Sequence, residues 1–205
     1  EEWLKWEQVM RDGNIAEWYI ESCGKIKYMF PKAHATAYIM MALRVAWFKV
    51  HHPIMYYSAY FSIRTADYDI EAMMNGYDAI KNRIMELKTK GYDATNKESS
   101  ILDVLQVALE MTARGFKFGK MDLYKSDGTK FIIDDDNKTL IPPFRALDGL
   151  GDTVANKIVE ERNKQPFFSI EDLQQRGKVS QTLIDKMRVM GILNDMPETS
   201  QLSLF

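Results

Sequence analysis

Three places in the sequence combine residue types and spacings that can do chemistry. The first is Ala146-Leu-Asp-Gly-Leu-Gly-Asp-Thr-Val-Ala-Asn-Lys-Ile-Val159, a glycine–leucine–glycine turn feeding a helical pattern. Gly149 and Gly151 permit a tight turn and the close approach of another backbone. The first N–H groups of the helix and its dipole then point at one spot, which suits a phosphate. Candidate contacts are Gly149, Leu150, Gly151 and Thr153, with Lys157 nearby. The plainer alternative is an ordinary helix–helix turn, and the carboxylate of Asp148 works against an anion here. A degenerate second copy, Gly177-Lys-Val-Ser180, lacks the second glycine and is expected to pack against the first.

The second place is the final pentapeptide, Gln201-Leu-Ser-Leu-Phe205. Leu202, Leu204 and Phe205 are apolar in an otherwise polar tail, and Gln201 can fix register through its amide. Such a segment is suited to docking into apolar pockets on a partner. The alternative is that Phe205 folds back onto its own domain. The third place runs from Tyr28 to Pro53. Its helical part is apolar nearly all round, as in the core of a large assembly, with Lys32 and His34 at its start and Arg44 and Lys49 further on. At about 100° per residue, His34, Tyr38, Met41, Val45 and Lys49 share a face. Alone, His34 reads more readily as a core histidine than as a catalytic one.

The elements that must position these residues are mostly helical. The pattern predicts helices over 1–11, 15–27 (Asn14 as N-cap), 31–50, 53–63, 69–90 and 98–113. At Gly115 the character changes. Lys120–Lys125, Lys130–Ile133 and Thr139–Ile141 read as short strands, with turns at Ser126-Asp-Gly128 and Asp134-Asp-Asp-Asn137. Three consecutive carboxylates could hold a metal ion, but in this setting they read as a solvated turn. Helices follow near 152–163, 169–175 and 180–190, and residues 194–205 should form a flexible tail. The fold class is therefore mainly α with a small β element, in domains 1–113 and 114–193, with the turn-bearing helices over about 142–193.

Composition excludes several classes. Hydrophobic residues at 46% and charged residues at 27% make wholesale disorder unexpected. No window has the apolar length of a membrane span, so no membrane partner is expected. A lone cysteine, Cys23, cannot build a disulfide framework or a multi-cysteine zinc site, and fits a reducing compartment. Residues 22–66 carry six basic residues and no acidic one, although six bases in so long a stretch is also what a mainly apolar segment would show. The start at Glu1-Glu2 reads as a piece of something longer.

Residues 146–159 resemble a helix-hairpin-helix motif, which grips a nucleic-acid backbone without reading bases. Asp148 stands where that family often has proline. Gln201–Phe205 resembles the peptide by which bacterial polymerases and repair enzymes attach to the sliding clamp. Phe30, Lys32, His34, Ala35 and Tyr38 are similar to a Phe-x-Lys-x-His-Ala-x-x-Tyr stretch in the fingers of C-family bacterial replicative DNA polymerases. Further strings in the same order, among them Glu17–Cys23, Phe131–Ile133, Ile141–Phe144 and Glu171–Gly177, resemble the C-terminal part of the PolC-type DNA polymerase III alpha subunit.

That resemblance implies distal fingers over 1–113, a duplex-binding domain over 114–193 and a clamp-binding tail over 194–205. It implies that Lys32, His34, Arg44 and Lys49 lie toward nucleotide or template phosphates. Duplex DNA, the sliding clamp (beta subunit) and the upstream palm and thumb would be the partners, at a cytoplasmic replication fork. No catalytic residue is expected within the chain. The magnesium ions of nucleotidyl transfer belong to palm aspartates upstream, so this stretch should bind rather than polymerise. A non-enzymatic adaptor with the same hairpin and clamp peptide is the alternative. A standalone hydrolase finds no nucleophile–base pattern, P-loop lysine or zinc-ligand cluster here.

Overall fold

In a computed structural model, residues 2–26 and 31–199 are described. The chain divides into two compact units, residues 1–46 and 47–205. The fold is mainly helical with one small sheet.

In the first unit, α1 (Glu2–Asp12) and α2 (Glu17–Lys25) pack on each other. A side chain at Gly24 would meet the Trp3 ring at 3.1 Å, so the two helices touch closely there. Asn14 is not the N-cap of α2. It adopts a left-handed conformation (φ 54°) that ends α1, and Ala16 holds the N-cap position without a side-chain cap. Asparagine tolerates this conformation better than most residues, which makes it a helix stop as readily as a start. Arg11 then ties the two helices by pairing with Glu17 of α2 (2.7 Å), while also pairing with Glu7 of its own helix (2.8 Å). After Pro31 comes α3 (Lys32–His51), which crosses from the first unit into the second. The sequence predicts it buried on all sides. Instead its Tyr38, Ile39, Met41, Leu43 and Val45 are exposed, an apolar surface of the kind that marks an interaction face.

The second unit begins with the end of α3, followed by α4 (Pro53–Ile63), α5 (Ile70–Met74), α6 (Tyr77–Lys90) and α7 (Asn96–Ala113). The single helix expected over 69–90 is broken at Asn75-Gly76, where Gly76 has φ 85°. Thr95 and Glu98 form a reciprocal capping box that starts α7 two residues before the expected position. Strands β1 (Lys117–Phe118), β2 (Ile132–Ile133) and β3 (Thr139–Ile141) make a sheet of order β1-β3-β2. β1 runs parallel to β3 with Phe118 opposite Leu140, and β2 runs antiparallel to it with Ile133 opposite Leu140.

Lys120–Lys125 is not a strand. The Asp122 carboxylate accepts from the N–H groups of Tyr124 (2.7 Å) and Lys125 (2.8 Å), an Asx turn that bends the chain away from the sheet. One apolar core joins Tyr57, Phe61, Met73, Ile80 and Leu105 to Phe118, Phe131 and Leu140, so the sheet completes the core of α4–α7. A second core gathers Phe144, Leu147, Leu150, Ala155, Ile158, Leu173, Ile184 and Met187 around α8 (Asp152–Lys164), α9 (Ile170–Gly177) and α10 (Gln181–Val189).

Residues 194–199 are not a loose tail. Leu193 is buried, and Met196 packs on the second core. The carbonyls of Pro197 and Glu198 accept from the N–H groups of Ile170 (2.9 Å) and Glu171 (3.1 Å). These are two of the donors that every helix start leaves without an internal acceptor, which explains why a sequence without periodicity is nonetheless held. Arg188 pairs with Glu198 on the same strap.

Candidate nucleic-acid interface

The Gly149–Gly151 turn is built from the residues on either side of it. A 3-10 turn over Phe144–Ala146 leads in, Leu150 N–H donates to Leu147 O (3.0 Å), and Ala155 N–H donates to Gly151 O (3.0 Å) to start α8. Leu150 is buried as the plug of the turn, while Gly149, Gly151, Asp152 and Thr153 are exposed. The two glycines are there for different reasons. Gly149 has φ 90°, which a residue with a side chain rarely adopts. Gly151 has an ordinary extended backbone (φ −77°, ψ 160°), and a side chain built on it would meet nothing within 4 Å. Gly151 is the N-cap of α8, where glycine is among the favoured residues, but no neighbouring atom and no positive φ demands it; its space opens outward, beside the first N–H groups of α8.

Ser126-Asp-Gly128 seats this turn. The carbonyls of Asp127 and Gly128 accept from the N–H groups of Phe144 and Arg145, each at 3.0 Å. A side chain at Gly128 would lie 2.3 Å from Asn156 Oδ1, 3.1 Å from Asn156 N and 3.2 Å from Ala155 C. Gly128 thus lets the loop touch the first turns of α8, a contact that sequence reasoning missed because it was read as a plain turn between strands. The end of α8 is held by Arg176, whose guanidinium donates to the carbonyls of Glu161 (2.6 Å), Gln165 (3.0 Å) and Pro166 (3.2 Å). It also pairs with Asp172 (3.0 Å) and lies 4.7 Å from the centre of the Phe167 ring. Capping carbonyls at a helix C-terminus with a cation satisfies both hydrogen bonding and the dipole.

The expected second copy does pack against the first. A side chain at Gly177 would meet Ile158 of α8 at 3.4 Å and Val179 at 3.3 Å. Lys178, in a left-handed conformation (φ 57°), closes α9, and Ser180 caps α10 by accepting from Leu183 N–H. Lys178 lines a shallow groove of 420 Å³ together with Thr153, Val154, Asn156, Lys157 and Glu160, which adds it to the cations near the hairpin.

Charge at the turn is balanced locally. Asp148 pairs with Lys97 (2.8 Å) and Lys186 (3.2 Å), which hold its carboxyl below the usual carboxylate range. Asp152 pairs with Arg145 at 3.4 Å. Lys157 is engaged by Glu160 (3.3 Å) and Glu161 (3.0 Å). Lys164 and then Lys157 hold the Glu161 carboxyl down to about 2. A cleft of 410 Å³ lined by Tyr68, Lys97, Arg145, Asp148 and Gly149–Asp152 opens beside the hairpin.

The cations expected toward nucleotide or template phosphates are divided between the two units. Lys32, His34 and Arg44 lie in the first unit; the His34 ring meets Tyr38 edge-on at 4.5 Å, and Arg44 Nη1 lies 3.9 Å from Met41 Sδ. Lys49 is engaged by Glu110 at 2.7 Å. Phe30 and the pentapeptide Gln201, Leu202, Leu204 and Phe205 lie outside the described residues. Among the described residues, no three His, Cys, Asp or Glu side chains come together to hold a metal ion, and no helix is long and apolar enough to cross a membrane. The acidic run forms a turn: Asp136 accepts from the N–H groups of Lys138 and Thr139 (2.8 Å each) and from Thr139 Oγ1 (2.6 Å).

Residues 115–202 match the helix-hairpin-helix motif family. The chain is 59% identical over 198 residues to a DNA polymerase III PolC-type of Streptococcus sanguinis, covering 96% of this chain and 13% of that protein. It is 57% identical to the Lactococcus lactis protein of that name, over 100% of this chain and 12% of the relative. With the Lacticaseibacillus paracasei protein the identity is 56%, over 98% of this chain and 14% of the relative. The chain thus spans roughly an eighth of the length of these relatives.

Proposed function

We propose that this chain, which is homologous essentially end to end to a segment of PolC-type DNA polymerase III, is the part of such a polymerase that holds duplex DNA without reading its sequence. The observation that carries this is Gly151: a glycine with an ordinary backbone, open space where a side chain would stand, and the exposed start of α8 beside it. A phosphate approaching there meets backbone donors and a helix dipole, neither of which distinguishes one base pair from another. Lys178 lines the adjoining groove and supplies exposed charge, beside Lys157, which Glu160 and Glu161 engage.

The same reading makes residues 1–113 part of the distal fingers. Lys32, His34 and Arg44 then face nucleotide or template phosphates, and the exposed apolar side of α3 is covered by the palm and thumb of the parent enzyme. Catalytic aspartates and their magnesium ions are placed in that palm, outside this chain, so the segment contributes binding and not phosphoryl transfer. Gln201, Leu202, Leu204 and Phe205 serve as the clamp-binding peptide, which raises the polymerase's effective concentration on DNA.

Gly151→Val tests the hairpin. Binding to unrelated duplexes should fall to a similar extent for all of them while the melting temperature stays unchanged; unchanged binding by the folded variant would remove the assignment. Deleting 201–205 should abolish capture of purified sliding clamp and spare duplex binding; clamp capture by the deleted chain would remove the tail's role.

A further inference from the structure

Asp148 bridges two lysines that come from distant parts of the chain. Its Oδ1 lies 2.8 Å from Nζ of Lys97, in the first turn of α7, and its Oδ2 lies 3.2 Å from Nζ of Lys186, in the last turn of α10. The Lys186 ammonium also donates to the Asp148 carbonyl at 2.7 Å, and a side chain at Gly149 would lie 3.9 Å from that ammonium. Two cations, one from α7 and one from α10, therefore converge on the residue next to the glycine turn. Both partners are well exposed: the side chains are 69% accessible at Asp148, 56% at Lys97 and 41% at Lys186. Exposed pairs of this kind contribute little to stability and are readily exchanged. That sets them apart from the Arg176 network, whose side chains are largely covered.

We infer that Lys97 and Lys186 are phosphate-binding cations of this hairpin face, and that Asp148 is a built-in competitor that occupies them until duplex DNA arrives. The inference rests on the duplex-binding reading above and names further residues for it. The chemistry of the exchange is close to even. A carboxylate presents two oxygens and one negative charge to the two ammonium groups, and a backbone phosphodiester presents two non-bridging oxygens and the same charge. No covalent bond changes; each lysine trades one oxygen acceptor for another. The consequence is a hairpin whose hold on DNA is moderated, because part of each new contact is offset by the contact given up. Such moderation suits a protein that must stay on a duplex while the duplex moves past it.

The test uses the whole chain and a fluorescein-labelled duplex, with anisotropy read across a series of salt concentrations. Asp148→Asn keeps the shape and removes the charge. It should tighten binding at low salt by about threefold or more, since one fixed negative charge no longer opposes the phosphates. Lys97→Gln and Lys186→Gln should each weaken binding equally for unrelated sequences and reduce the slope of log affinity against log salt by about 0.9. Each lysine change should cost more in the Asp148→Asn background than alone, because freed lysines contribute fully.

Weaker or unchanged binding by Asp148→Asn at an unchanged melting temperature would overturn the inference. Should Asp148→Asn lower the melting temperature, the two lysine variants decide, and wild-type salt slopes in both would overturn it. Gly151→Val in the same assay separates the two claims. If it still binds, the hairpin reading itself fails; if it loses binding while the lysine variants keep theirs, only the present inference falls.

Discussion

The Lys49 ammonium lies 2.7 Å from Glu110 Oε2, sixty-one residues further along the chain. The other Glu110 oxygen accepts from the Tyr57 hydroxyl at 3.0 Å, and Arg114 donates to that hydroxyl (3.0 Å) and to the Lys49 carbonyl (3.2 Å). The Glu110 hydrogen bond raises the Lys49 pKa; burial would raise that of Glu110, but Lys49 and Tyr57 outweigh it and hold it down. Lys49 thus fixes the end of α3 to α7. Lys49→Met should destabilise the chain by about 1 kcal/mol, the size expected for a half-exposed pair. A Lys49→Met/Glu110→Gln cycle in denaturant should show coupling, and additive effects would contradict the assignment.

Gly128 should not tolerate even a methyl group. A side chain there would press on the backbone at Asn156 and Ala155 as well as on Asn156 Oδ1. Gly128→Ala should cost about 1–3 kcal/mol, as overpacking at a close contact does. Asn156→Ala should relieve only part of it, because the backbone clash remains. Denaturant midpoints of the single and double variants check this.

Gly149 and Gly151 should separate fold from function. Gly149 has a positive φ, so Gly149→Ala should lower stability by about 1–2 kcal/mol. At position 151 alanine is accommodated, so the melting temperature should be unchanged or slightly raised while duplex affinity falls. Thermal melts beside anisotropy titrations decide it.

Acid should weaken the fold through carboxylates that the native state holds ionised. Lys90 and the Thr95 N–H hold Glu98 down to about 2, and Lys164 and Lys157 do the same for Glu161. A depressed carboxylate stabilises above its unfolded pKa of about 4.3, and that contribution disappears as pH falls toward 2. Glu161→Gln should therefore melt below the wild type at pH 6, and the difference should close at pH 2.

Local signals carried much of this fold into the sequence. The α8 start, the Pro53 start of α4 and the Gly149 turn are set by residues within a few positions of one another. The capping box of α7 is also legible as Thr95-x-x-Glu98, and it starts the helix at Asn96, two residues ahead of the expected position. Other features depend on distance along the chain. Lys97 and Lys186 meet Asp148 across fifty-one and thirty-eight residues, and no local pattern marks such a meeting. Residues 194–199 lack periodicity because they serve as acceptors for the start of α9 rather than as an element of their own. The Asx turn at Asp122 defeated an alternation that otherwise reads as strand.

Duplex affinity measured against salt for two unrelated sequences, with the wild type and Gly151→Val side by side, tests the central claim most directly. Equal affinities for the two sequences, a steep fall with salt, and a loss of binding in the variant that is the same for both are expected. A preference for one sequence, or a Gly151→Val chain that binds as the wild type does, would contradict it.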